Sequence, residues 1–339
     1  MFLSFIVPVY NAQNYLNQCL DSLINQDISD FEIICVNDGS TDNSSIIFDK
    51  YSKEYNNIII KNKTNSGVSA SRNEGIRIAQ GDYIWFIDAD DFISPNILGK
   101  LKELATSCNP DRITVESYTF NSELETEQTK NLKPNVPYKK VMATRTLYKR
   151  EYLKSNDILF SEGVHYGEDG LFNYQTLIHN PKTFDSNILA YFYRVHNLSV
   201  TNAPKKQRVM VSLEGSKLVL DVLVRDYNQK ICLSETRRML LYWMYGIVDF
   251  YTILGLDYFN DSFIWKHDLI GIPFTDYELR KLHGKLIKIS KTHNYQKLIR
   301  LNKKKIKKDI RKKAAQKNKK IIIGYIKHPK RLLKKIINK

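Results

Sequence analysis

Four short apolar runs in the first ninety residues, each followed by a stretch with a different period, constrain this chain more than any other feature. Residues 2–9 form the first run and contain a proline near the end. Residues 31–36 are apolar except for Glu32, the pattern of a strand covered on both faces. Residues 58–60 and 83–87 predict a third and a fourth strand. Between them, Tyr15, Leu16, Cys19, Leu20 and Leu23 recur at helical spacing. Thr41, Asp42, Asn43 and Ser44 offer caps for a helix running to about residue 55. A third helix is expected over residues 68–79, stopped by Gly81. Such a βαβαβαβ order predicts a mostly parallel, Rossmann-like central sheet with right-handed crossovers and flanking helices. Ligands of these sheets bind beyond the carboxyl ends of the strands. Tyr10 and Asn11 follow the first run there, Asp38 the second, Asn65 and Gly67 the third, and Asp88 and Asp90 the fourth.

Charge divides the chain unevenly. Of its 52 Lys and Arg residues, 18 fall in residues 300–339, where Asp309 is the one acid, so the rest of the chain is close to neutral despite a net charge of +16. A tail of that kind favours an anionic polymer or an acidic lipid surface. Its apolar islands at residues 321–326 and 332–337, set between lysines, fit an amphipathic helix lying on a membrane. The four cysteines form no CxxC pair, which argues against a zinc or redox motif. The first residues lack a basic segment and meet Pro8 early, so no secretory signal is expected. The apolar stretch at 239–256 contains Asp249, and a carboxylate near mid-bilayer is costly, so a buried or interfacial helix is expected there.

Several short motifs carry candidate chemistry, and each also has a plain structural reading. Asp88-Ala89-Asp90-Asp91 places two carboxylates, expected to share one face at the strand's end, where a hard divalent cation would find oxygen ligands. The alternative is a turn followed by a helix cap. In Asn37-Asp38-Gly39-Ser40 the acid can accept bonds from a ribose or a base N–H, or simply belong to a turn. In Asn65-Ser66-Gly67, running on to Ser71-Arg72-Asn73, a glycine opens a helix whose free N–H groups face the cleft, with Arg72 in reach of a phosphate or base, unless that arginine is merely solvated. In Gly167-Glu168-Asp169 an acid at a helix start can act as a general base or as a cap.

Taken in order, these motifs resemble those of the family 2 glycosyltransferases, which have the GT-A fold. The resemblance rests on Ile6-Val7-Pro8-Val9-Tyr10-Asn11, Val36 to Asp42, Asn65 to Asn73, Asp88 to Asp91, Gly167 to Asp169, and Tyr193-Arg194-Val195-His196-Asn197-Leu198-Ser199. It covers about residues 2–202. It implies an inverting transferase that moves a hexose or N-acetylhexosamine from a nucleotide diphosphate sugar, usually a UDP-sugar, to a glycan acceptor in bacterial surface polysaccharide synthesis. Pro8, Tyr10, Asn11, Asp38, Asn65, Gly67 and Arg72 would hold the nucleotide. Asp88 would contact ribose or the metal and its water, and Asp90 would ligate Mg²⁺ or Mn²⁺. Asp169 would be the catalytic base. His196 would stand near the metal or the diphosphate, or else serve the structure. Gln13 and Ser71 depart from the residues many relatives carry, glutamate and alanine.

The organisation expected is a nucleotide-sugar half (1–95) and an acceptor and base half (96–204) of one domain, a helical extension (205–300), and the basic tail (301–339). Residues 121–140 read as a polar loop or hairpin. A lipid-linked acceptor and a tail on the inner face of the cell membrane would place the chain in the cytoplasm, at the membrane periphery. Nucleic acid is not an expected partner, because the body outside the tail has no basic excess. A nucleotidyltransferase would carry a glycine-rich loop after the first strand, and Tyr10-Asn11-Ala12-Gln13 has no glycine.

Overall fold

The computed structural model of the chain describes residues 1–121, 142–164, 166–195 and a scatter of positions between 215 and 243, all within the unit Met1–Leu254. The expected strands and helices are present with small shifts. They are β1 (Leu3–Val9), α1 (Leu16–Ile24), β2 (Phe31–Asn37), α2 (Ser44–Glu54), β3 (Ile58–Asn62), α3 (Val68–Ile78) and β4 (Tyr83–Phe86). After them come β5 (Phe92–Ile93), α4 (Leu98–Cys108), β6 (Arg112–Asn121), β7 (Thr146–Lys149), α5 (Arg150–Ser155), α6 (Glu168–Ile178) and β8 (Thr183–Val195). Among the described residues the strands form one sheet in the order β3-β2-β1-β4-β7-β6-β8-β5. Pairing is parallel from β3 through β4 and again between β6 and β8; β7 runs antiparallel to both neighbours, and β5 to β8.

Strand alternation divides the interior into two cores. Leu3, Phe5 and Val7 of β1, Ile33 and Cys35 of β2, and Trp85 of β4 face one side, under α1, α2 and α4. Ile6, Ile34, Ile84 and Phe86 face the other, with the residues of α3, α5 and α6. On that second side α3 comes so close that a Cβ on Gly75 would lie 2.3 Å from Ile6 Cγ2, and only glycine allows that approach. Glu32, the one charge in its strand, is buried, accepting bonds from Ser4 Oγ at 2.6 Å and the Gln80 N–H at 2.7 Å.

The chain reverses direction across the sheet between β1 and β4, the place where doubly wound sheets open a ligand crevice. Pro8 helps open it. The Ile87 N–H still bonds the Ile6 carbonyl at 3.0 Å, but Pro8 has no N–H to continue that ladder, so β1 and β4 part from there on. One expectation fails at this point. Asp88 and Asp90 do not share a strand face, because β4 ends at Phe86 and residues 88–91 fold into a turn closed by the Asp91 N–H on the Asp88 carbonyl at 3.0 Å. Strand alternation therefore does not govern them.

Candidate active site

The donor side begins with Asp38. Its carboxylate, 4% exposed, accepts the N–H of Ser66 at 2.9 Å and of Gly67 at 2.8 Å, and pairs with Lys63 Nζ at 2.6 Å. Burial pushes this carboxyl up, but Lys63 and the two N–H groups outweigh it and hold the group below its ordinary range. Asp38 thus shapes the loop that carries Asn65 and Gly67, and Lys63, which the motifs did not flag, is its counterion. A carboxylate has about four acceptor positions, so further bonds to a ligand remain open to it. Gly67 begins α3 at φ +91° with open space around a would-be Cβ, so its backbone angle, not crowding, calls for glycine. Asn11 has φ 52° and accepts the Thr41 N–H at 2.8 Å, joining the two loops after β1 and β2. Tyr10 is 54% exposed at the mouth of the crevice. Gln13 does the work open to glutamate at that place, accepting the Asn43 N–H at 2.9 Å at the start of α2.

Arg72 is not the solvated side chain that one reading of its helix position allowed. It is 2% exposed and lies over the Phe160 ring at 5.0 Å. Its Nη1 donates to Asp169 Oδ1 and its Nη2 to Asp88 Oδ1, both at 2.8 Å, with Glu168 at 3.9 Å. One buried guanidinium therefore ties the turn after β4 to the start of α6. Beneath it, Asn73 clasps Phe160 through two backbone bonds of 3.0 and 2.8 Å, and Phe160 stacks on Phe172 of α6 at 3.9 Å.

The residue before α6 is Gly167, which has no side chain to cap with, and the Asp169 carboxylate bonds outside its own helix. Asp169 faces Arg72 and also accepts the Ala143 N–H from the turn before β7. Burial raises its carboxyl, Arg72 opposes the rise, and the nearby Asp88 charge adds to it. Burial, then the Asp169 charge, pushes Glu168 up to about 7. Two adjacent acids with raised proton affinity, on one arginine and in a cleft, form an arrangement suited to proton transfer.

The turn at 88–91 is braced from β8. Asp91, 1% exposed, accepts the Tyr191 hydroxyl at 2.5 Å and the Arg194 N–H at 2.7 Å. Arg194 Nε donates to the Asp90 carbonyl at 2.8 Å, and its guanidinium lies over Tyr15 at 5.1 Å and Phe92 at 5.6 Å. Tyr191 and this use of Arg194 were missed by motif reading; the signal was the place of Arg194 within the Tyr193-to-Ser199 segment. The third acid of the turn is thus structural, which leaves Asp88 and Asp90 as the candidate cation ligands. Among the described residues no group of three or more His, Cys, Asp or Glu gathers to hold a metal ion. Two carboxylates in a crevice still suit a hard cation that completes its shell with substrate phosphates. His196 lies outside the described residues.

Comparison with known proteins bears on the family and the fold. Residues 4–160 match the family described as Glycosyl transferase family 2. The uncharacterized glycosyltransferase EpsJ of Bacillus subtilis strain 168 is 34% identical over 60% of this chain and 64% of its own length. A poly(ribitol-phosphate) beta-glucosyltransferase of Bacillus spizizenii is 33% identical over 60% of this chain but 34% of its own. The chain therefore spans between about a third and under two thirds of these relatives. Among solved structures, residues 1–349 of Staphylococcus aureus TarS superpose with a TM-score of 0.55 at 22% identity, over 85% of this chain and 81% of that one. The same TarS segment is also known in complex with UDP-GlcNAc, with a TM-score of 0.53 at 22% identity over 75% of this chain and 82% of that one. These likenesses identify the fold as GT-A.

Proposed function

From the match of residues 4–160 to glycosyl transferase family 2, we propose that the chain is a member of that family and an inverting glycosyltransferase acting on a UDP-sugar. The sugar moved is a hexose or N-acetylhexosamine, and the acceptor is a glycan, lipid-linked, in surface polysaccharide synthesis. The observation that carries this reading is the Arg72 bridge, which brings the base candidate Asp169 and the donor-side Asp88 into one cleft at 2.8 Å each. UDP and UDP-GlcNAc are bound by TarS in its solved complexes, which supports the choice of nucleotide.

In this mechanism Asp169 accepts the proton of the acceptor hydroxyl as that oxygen attacks the anomeric carbon. The nucleotide diphosphate leaves from the opposite face, and the configuration inverts. With Oδ1 held by Arg72, the carboxylate is fixed in direction and keeps further acceptor positions for the incoming hydroxyl. Arg72 also offsets charge in a site crowded with carboxylates. Tyr10, Asn11, Asp38, Asn65 and Gly67 line the donor side, with Pro8 opening the crevice beneath them. A divalent cation, Mg²⁺ or Mn²⁺, on Asp90 and Asp88 would neutralise charge on the departing phosphates when bound. The direct test is a panel of UDP-, GDP- and dTDP-sugars scored for metal-dependent hydrolysis or transfer. Turnover of UDP-sugars supports the reading, and turnover of none of the panel overturns it.

The basic tail, residues 301–339, lies outside the described residues, and we propose that it attaches the enzyme to the inner membrane face. Each Lys or Arg near an anionic surface contributes about 1 kcal/mol, screened by salt. Deleting 301–339 should abolish co-sedimentation with vesicles rich in anionic phospholipid and spare UDP-sugar hydrolysis. Equal vesicle binding by the shortened chain would overturn the attachment. Among the described residues no helix is long and apolar enough to cross a membrane.

A further inference from the structure

The residues between 215 and 243 lie beyond the family match at 4–160, yet the described ones press on the helix that carries Glu168 and Asp169. Gly167 precedes α6 at φ +89°, and a Cβ added there would lie 2.4 Å from Cη2 of Trp243 and 3.1 Å from Cζ2 and Cζ3. The edge of the indole therefore rests on the Gly167 Cα. Trp243 is 5% exposed, and the Tyr166 ring meets it edge-on, with centroids 6.4 Å apart at 88°. Gly215 abuts the same loop, since a Cβ there would lie 2.2 Å from the Tyr166 carbonyl oxygen. Further along α6, the buried Tyr174 hydroxyl donates to Asp226 Oδ2 at 3.0 Å and lies 2.8 Å from Thr236 Oγ1. The described positions of one segment thus touch the base helix at its start and again two turns on.

We infer that Trp243 and the Tyr174–Asp226–Thr236 cluster are positioning residues that form the back wall of the base helix; this rests on Asp169 being the base. Glu168 and Asp169 are the first two residues of α6, so their carboxylates move with the helix. Arg72 holds Asp169 through its 2.8 Å bond, and the indole resting on Gly167 limits how far the start of α6 can shift. A displacement of about 1 Å of a catalytic group can cost about 10²-fold in rate. The glycine of Gly167-Glu168-Asp169 gains a second reason here: besides its positive φ, it is where the wall touches.

The test uses the full chain and three variants, Trp243→Ala, Trp243→Phe and Asp226→Asn. Trp243→Ala should lower kcat by about 10- to 100-fold, with donor KM and UDP affinity by calorimetry within about twofold of wild type, the pattern of a lost transition-state interaction. Hydrogen exchange in peptides covering residues 166–172 should quicken. Trp243→Phe, which keeps a flat ring, should recover most of kcat. Asp226→Asn, which keeps the size of the side chain, should move the same quantities less far, and it decides the matter if Trp243→Ala does not fold. Unchanged kcat and exchange would overturn the inference. So would kcat, KM and UDP affinity failing together with no recovery in Trp243→Phe. If the wild type moves no sugar, the proposed function fails instead, and the exchange measurement still decides whether the wall holds α6.

Discussion

Asp169→Asn should lower sugar transfer by at least about 10²-fold and leave UDP affinity near the wild-type value, because general-base catalysis is typically worth about 10²–10⁴-fold. The substitution is nearly isosteric. An amide oxygen can still accept the Arg72 Nη1 bond, now 2.8 Å long, so the link between α3 and α6 survives while the ability to take a proton does not. The loss should therefore fall on kcat, and the melting temperature should stay close to that of the wild type. Asp169 spends its bonds on Arg72 and the Ala143 N–H, and an asparagine oxygen can keep either of them, so a stability effect is the less expected outcome. A base must be ionised to act, and burial raises the carboxyls of both Asp169 and Glu168. The wild-type rate should accordingly fall on acidification at a higher pH than an ordinary carboxylate would give. Transfer by Asp169→Asn above about a tenth of the wild-type rate would pass the role to Glu168, whose carboxyl burial and the Asp169 charge push up to about 7 in the wild type.

Asp90→Ala should collapse donor turnover, and added Mn²⁺ should restore little of it. Charge stabilisation by a bound cation is worth several kcal/mol, which at about 1.36 kcal/mol per tenfold is on the order of 10²-fold or more. Wild-type enzyme in EDTA should lose activity and regain it with Mn²⁺ or Mg²⁺. Full activity in EDTA, or in Asp90→Ala, would overturn the assignment. Asp91 supplies the contrast within the same turn. Burial, together with the Asp90 and Asp88 charges, pushes its carboxyl up, and it is engaged by Tyr191 and the Arg194 backbone. Asp91→Ala should therefore lower the melting temperature, since it leaves the buried Tyr191 hydroxyl without its 2.5 Å acceptor.

Much of the fold was legible because it is local. A strand covered on both faces needs apolar residues throughout, and a helix on a sheet needs them every three or four, so residues 31–36 and 15–24 announced β2 and α1 to within a residue or so. The motifs lie where chain order and the strand ends put them, which is why Tyr10, Asp38, Gly67 and Asp88 could be placed at one edge of the sheet before any coordinates. The carboxylates of the 88–91 turn were misplaced onto one strand face because alternation was carried four residues past the end of β4, to Asp90. Nothing in the local pattern says where pairing with β1 stops.

What the sequence by itself determined is therefore the order of the strands and helices, the residue types at the strand ends, and the separation of a near-neutral body from a basic tail. Only the tertiary structure decided what those residues do to one another. Arg72 meets Asp169 across 97 positions, Asp91 meets the Arg194 backbone across 103, and Tyr174 meets Thr236 across 62. A guanidinium four residues into a helix looks solvated until Phe160 and the start of α6 close over it, and nothing in the run Asp88 to Asp91 sets Asp91 apart until β8 covers it. Periodicity reports which face of an element is apolar, but not which distant element covers that face, and in this protein the covering element decides whether a carboxylate faces the cleft or braces the wall behind it.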